Sequence, residues 1–240
     1  MQEIDFPIDE YVIYETVAGS RLYGCAIEGV SDEDFRGVCV PPAEYVLGLK
    51  VFEQYEQEIP DRVIFSLKKL WKLAVGANPN VLEWLFAPSE HILTMTPLGE
   101  MVRDARRGFL SKQCRNTFLR YAEAELHEVV ESYDEDTGVY DYKHAVNCVR
   151  LAVEGSIIAW TGWLYPDFSY QPNNHNVDEK YLLSIRKGEC KFTEIYTLTH
   201  AIIESARKKF EESSLPEVVD FDAMNAKLVE IHREALIEFT

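Results

Sequence analysis

Nowhere in the 240 residues is there an uncharged apolar run of about 18 residues, the length a membrane-crossing helix requires. The opening stretch MQEIDFPIDE is acidic where an export signal needs a basic flank and an apolar segment, so the expected compartment is the cytoplasm. The five cysteines, Cys25, Cys39, Cys114, Cys148 and Cys190, are odd in number and never fall in a CxxC spacing. That pattern indicates neither a disulfide framework nor a zinc site, and the thiols read as small buried side chains. Basic residues are scarce: 24 Lys and Arg stand against 41 Asp and Glu, a net charge of -17. Indiscriminate binding to nucleic acid or to an anionic membrane is opposed by this balance, and any nucleic-acid contact has to be local. Internal repeats and a clear linker are also missing. Hydrophobic content of 47% with 27% charge is ordinary for a globular chain, long enough for a well-buried core.

What is present changes character along the chain. Residues 11–17, YVIYETV, are rich in β-branched and aromatic side chains and stop at Ala18-Gly19-Ser20, as a strand running into a turn does. Residues 34–40 and 62–65 supply two more short strands. From Ser66 onward the apolar period moves to that of a helix, with Leu67, Leu70, Trp71 and Ala74 on one face. A short helix follows at VLEWLF, then one opened by Thr96-Pro97 and running to about Arg107, and another from Ser111 to about Glu131. Further helices are expected at 142–160, 178–187 with Gly188 as the stop, 193–212 and 222–238, with YQPNNHN as a loop. The polar run SYDEDTGVY joins two helices; it lacks the Gly and Glu positions of a calcium loop.

Chemistry concentrates in GSRLYGCAIEGVSDEDFRG, residues 19–37. On a strand beginning at Asp32, Asp32 and Asp34 project together while Glu33 points away, and two carboxylates on one face call for a cation or a proton between them. Mg²⁺, or Mn²⁺, suits such oxygen ligands when a substrate phosphate completes the shell. Gly19-Ser20 supplies the other half: glycine allows backbone approach to an anion, Ser20 adds a hydroxyl, and the start of a helix adds free amides. Ser20 is expected at the β- and γ-phosphates, with the aspartates holding metal at the α-phosphate.

A Gly-Ser turn followed by DxD resembles the signature of the DNA polymerase β type of nucleotidyltransferase, and the eleven residues between Ser20 and Asp32 fit its spacer. GSRLYG, SDEDFRGV, LKKLWKLAVGANPNVLEWLF, FLSK, KHAVNCVRL, YLLSIRKGE and SSLPEVVDF resemble, in order, the bacterial and phage RlaP-like branch linked with RNA repair. The resemblance implies an α/β (α+β) fold: a nucleotidyltransferase core with a short mixed sheet over residues 1–90, then a helical region over 91–240 closing over the acceptor side. It implies attack of a hydroxyl on the α-phosphate of a nucleoside triphosphate, with release of pyrophosphate. The acceptor stays open between RNA, protein and small molecule. The family's third carboxylate is assigned to Asp61, with Glu58 as the nearest rival.

Arg36 shares strand parity with the aspartates and either reaches a phosphate or neutralises the acidic pair. Arg21 and Tyr23 are candidate nucleotide contacts. Asn147 stands where relatives often carry a second His after His144. The basic group Arg103, Arg106, Arg107, Lys112, Arg115 and Arg120 reads as a solvated helix face or as an RNA contact. His144 and Arg150 read as packing and surface, and Trp71, Trp84, Trp160 and Trp163 as core. A second reading of the whole chain is a nucleotide-binding regulator, or antitoxin-like partner, without turnover.

Overall fold

A computed structural model describes residues 5–172 and 175–238; residues 173–174 of the expected 170–176 loop lie outside the described residues, as do 1–4 and 239–240. The first part of the chain runs β1 (Val12–Val17), α1 (Gly19–Leu22), β2 (Asp34–Cys39), α2 (Ala43–Val46), β3 (Gln54–Gln57) and β4 (Asp61–Ser66). It continues through α3 (Leu67–Val75), α4 (Pro79–Leu85), β5 (Ile92–Met95) and α5 (Pro97–Ala105). Then come α6 (Gln113–Glu131), α7 (Tyr142–Thr161), α8 (Glu179–Arg186), α9 (Phe192–Glu212) and α10 (Phe221–Glu238). The expected α/β class with a helical C-terminal region is what forms.

The sheet order is β3-β4-β2-β1-β5, with β2 and β4 parallel and the other neighbours antiparallel. Two strands were not among those expected. The β3 segment QYEQ has no apolar alternation; its pairing with β4 makes it an edge strand. ILTM of β5 is only four residues long and is fixed by pairing with β1. Parallel register sets Asp34 opposite Asp61, Arg36 opposite Val63 and Val38 opposite Phe65. Partners in register share a face, so these six residues look to the same side of the sheet. The opposite side carries Gly37, Cys39, Arg62 and Ile64, and there Arg62 Nε donates to Glu15 Oε1 at 2.6 Å.

The helix starts follow the sequence signals. Ser66 Oγ accepts the Lys69 amide at 3.2 Å, Thr96 Oγ1 accepts that of Gly99 at 3.2 Å, and Asp141 caps α7 through Lys143 and His144. Ser111, expected as a cap, sits one residue before the N-cap of α6, yet its hydroxyl still accepts the Gln113 amide at 3.3 Å. Leu67, Leu70, Trp71 and Ala74 are buried, as their period demands. Helix α7 is apolar almost all round and lies packed against α6, α8 and α9 at the centre of the helical layer. The main core runs unbroken from Ile13 and Val38 in the sheet to Ile158 and Ala235 in the helices. A smaller one, Ile8, Val12, Cys39 and Ile64, covers the other sheet face. No helix among the described residues is long and apolar enough to cross a membrane.

Two readings of side chains are corrected. Trp160 is 57% exposed, because it falls at the last turn of α7 where the helix emerges from its neighbours. Arg150 is buried, for reasons given below. Four of the five cysteines are buried and the fifth, Cys190, is half-buried.

Helix α5 lies so close to β1 that a Cβ on Gly99 would stand 2.1 Å from the Ile13 carbonyl oxygen. Helix propensity alone favours Ala over Gly by about 1 kcal/mol. The backbone clash overrides that preference, so Gly99→Ala is expected to destabilise by about 1–3 kcal/mol, measured by urea unfolding. A stabilised variant would mean that α5 rides higher on the sheet.

Candidate active site

The site is built where β1 ends and β2 and β4 begin. Gly19 takes a left-handed φ of +60°, which turns the chain sharply out of β1 into the single turn of α1. The Ala18 amide donates to the Asp34 carbonyl at 2.8 Å, so the turn is fastened to the first residue of β2. A Cβ on Gly19 would lie 1.9 Å from Asp34 Oδ2; the carboxylate fills the space that glycine leaves. Ser20 follows on α1, half-buried, its carbonyl accepting the Cys25 amide at 3.0 Å. With one turn only, α1 offers amide groups rather than a helix dipole.

Asp61 opens β4 directly beside Asp34. Its rival Glu58 sits in the exposed turn between β3 and β4. Arg36 Nη2 donates to Asp61 Oδ2 at 2.9 Å and Nη1 to Oδ1 at 3.2 Å, a two-pronged pair. Burial pushes the Asp34 carboxyl above its usual range, with the Asp61 and Asp32 carboxylates adding to the rise and Arg36 opposing it. The strand starts at Asp34, as the expected 34–40 run has it; Asp32 and Glu33 are exposed coil before it, so the shared-face argument does not reach Asp32. Glu33 turns to Arg21, at 3.7 Å on the surface. Among the described residues, no three His, Cys, Asp or Glu side chains are grouped so as to hold a metal ion unaided.

Beside this corner lies a cavity of about 390 Å³, bordered by Gly19, Arg36, Tyr23, Asn78, Glu83 and Trp84. It opens next to the Gly19 turn and Arg36.

The family described as RlaP, RNA repair pathway DNA polymerase beta family, matches residues 1–230. The chain belongs to the RlaP family. No curated protein and no solved structure matches it significantly. The family's description suggests a nucleotidyltransferase, and the expected resemblance stands over nearly the whole chain.

In this RlaP-family chain the far wall of the cavity is tied to the helical layer by a buried cluster that sequence reading missed. Tyr23 Oη donates to Glu83 Oε2 at 2.5 Å, and Arg150 Nη1 donates to Glu83 Oε1 at 2.5 Å. Arg150 also lies 3.5 Å from Glu154 Oε2 and 4.1 Å above the Tyr23 ring. Glu83, Arg150 and Glu154 are all under 6% exposed. One guanidinium between two buried carboxylates leaves a negative charge uncompensated. Burial, reinforced by the Glu83 charge, drives the Glu154 carboxyl well above the usual carboxylate range, which favours its protonated form. The only sequence signal is Arg150 and Glu154, four apart in the mainly apolar run 148–160 of α7.

The other singled-out residues go elsewhere. His144 Nδ1 lies 2.7 Å from Glu125 Oε2, and Asn147 Nδ2 donates to the same oxygen at 3.1 Å. Four of the six basic residues around α5 and α6 are engaged, while Arg107 and Arg120 are exposed and enter no ion pair among the described residues. Arg103 and Arg106 bind the backbone carbonyls of Ala87 and Arg103, Arg106 stacks on Trp163, Lys112 pairs with Glu217, and Arg115 with Glu211.

Three outcomes are expected of this geometry. Gly19→Ala, which demands both a left-handed alanine and a displaced Asp34, should cost roughly 1–3 kcal/mol of stability and shift the Asp34 carboxyl signal in carbon-detected NMR. For the buried cluster, Arg150→Met is expected to destabilise by about 3–5 kcal/mol. Because the folded-state pKa of Glu154 is raised, wild-type stability falls as pH climbs from the unfolded value, near 4.5, toward the folded one. Glu154→Gln should flatten that dependence and match or exceed the wild type above neutrality in melts from pH 5 to 9. An unchanged pH slope would remove the proton from Glu154.

Proposed function

We propose that the protein transfers a nucleoside monophosphate from a nucleoside triphosphate to a hydroxyl acceptor, an RNA end in the first place, with release of pyrophosphate. The observation that carries this reading is the register pair Asp34–Asp61, lying against the Gly19 turn on adjacent parallel strands. In this reading residues 1–90 hold the catalytic core and 91–240 form the acceptor side. Five free thiols suit a cytoplasmic setting.

The donor set fits Mg²⁺ or Mn²⁺. Asp34 and Asp61 are hard oxygen donors, Asp32 stands near enough to raise the Asp34 pKa, and Mg²⁺ is ordinarily held by one or two carboxylates with substrate phosphates and water. Bound there, the ion supplies charge neutralisation at the α-phosphate and the leaving pyrophosphate. The chain does the rest by position. The Gly19-Ser20 amides and the Ser20 hydroxyl hold the β- and γ-phosphate oxygens, with Arg21 flanking them. The cavity edged by Tyr23 takes the nucleoside. Asp61 accepts the proton of the attacking hydroxyl, whose oxygen bonds to the α-phosphorus as the bond to the bridging oxygen breaks. Arg36, freed from Asp61 by that exchange, meets the charge developing on the phosphates.

One observation favours the alternative, a nucleotide-binding regulator without turnover: Arg36 holds Asp61 through both oxygens. Incubation with each α-³²P-labelled triphosphate, Mg²⁺ and a total cell extract separates the two. Transfer predicts label in an RNA pool, reduced at least about 100-fold in Asp34→Asn and Asp61→Asn, since losing even an outer partner of a metal ligand costs about 10–100-fold. Regulation predicts Mg²⁺-dependent nucleotide binding with no label in RNA, protein or metabolites.

A further inference from the structure

A second cavity, of about 630 Å³, lies at the other end of the sheet, between the 47–53 segment, α3 and the C-terminal half of α10. Its walls carry Lys68, Lys69 and Lys72 from α3, Arg233 from α10 and Lys50 from the loop, against a single carboxylate, Glu53. Lys50 is held by Asp5 and Glu44, and Lys69 reaches Glu53 at 3.6 Å. Lys68, Lys72 and Arg233 are exposed and enter no ion pair among the described residues. Its lining is also rich in apolar residues, among them Leu47, Leu49 and Val51, which are 74%, 101% and 70% exposed. In a chain with 17 more acidic than basic residues, unpaired cations on two facing walls are not a generic solvated surface.

We propose that this groove binds the phosphate backbone of a single RNA strand, upstream of the end that enters the active site. The inference rests on the RNA-end reading above, and charge complementarity carries it: a strand presents phosphates to the lysines and arginine and apolar base faces to the apolar lining. Position supports it too. Strand β4 runs from Asp61 at the site to Ser66 at the groove, five steps of about 3.3 Å, or roughly 16 Å. At about 3.4 Å per stacked nucleotide, the groove engages RNA about five nucleotides or more from the reacting end.

The test is fluorescence anisotropy of the full chain with 5′-fluorescein RNA oligomers of 4 and 12 nucleotides across a salt series. The 12-mer should bind the wild type more tightly than the 4-mer. Lys68→Glu, Lys72→Glu and Arg233→Glu together should abolish the length advantage, and the slope of log affinity against log salt should fall by about 2, three contacts at about 0.7 each. Should the triple variant not fold, Lys72→Gln alone should lower the slope by about 0.7. Nucleotide binding by the same variants should be unchanged, which separates failure of the groove from failure of the transfer reading. Equal affinity and slope in wild type and variant would overturn the proposal. So would a full effect with the 4-mer, or polyglutamate competing as well as RNA, which would make the groove a docking face for an acidic protein.

Discussion

The parallel pairing of β2 with β4 forces two carboxylates together, and the rest of the site is arranged around that strain. Neighbouring strands lie about 4.8 Å apart, so Asp34 and Asp61, in register at the starts of their strands, repel by roughly 1–3 kcal/mol between water-like and protein-like screening. Two things offset the repulsion. Arg36 grips Asp61 from the next same-face position of β2, and Asp34 is pressed toward its protonated form. A divalent cation would do both jobs at once. That is why the same arrangement reads equally as a stable ion-pair corner and as a site waiting for charge.

The Gly19 turn cannot drift from this corner. The Ala18 amide binds the Asp34 backbone while the Asp34 side chain occupies the volume a Cβ would need. Any ligand anion received by the turn therefore arrives within a fixed distance of Asp34, without a loop having to close. Pre-positioning of this kind is what phosphoryl chemistry asks of a protein, because so little of the work is covalent.

The local half of this was legible in the sequence. Gly19, Ser20 and Asp34 lie within one short stretch, and the caps Ser66, Thr96 and Asp141 act on residues two or three positions away. What escaped was set by partners distant along the chain. QYEQ becomes a strand only because β4 lies beside it, and ILTM only because β1 does. Parity failed at Asp32 because the strand begins two residues later, at the point where pairing with Asp61 becomes possible. Of the basic group near α5 and α6, Arg106, Lys112 and Arg115 are engaged by Trp163, Glu217 and Glu211, partners that lie far along the chain. Arg150 looked like surface because its main partner, Glu83, is 67 residues away.

That distant contact also governs how the two layers behave. Tyr23 and Glu83 border the cavity, and Arg150 and Glu154 belong to the central helix of the helical layer. Pulling α7 away from the sheet would strand a buried guanidinium or a buried carboxylate, at a cost of several kcal/mol, which keeps the separated form a minor state. The sheet end and the helical layer therefore move together. The cavity therefore has one wall already fixed by the buried cluster. The Arg36 side chain is tied as firmly at the other side of the cavity, donating to both Asp61 carboxylate oxygens and to the Phe35 carbonyl.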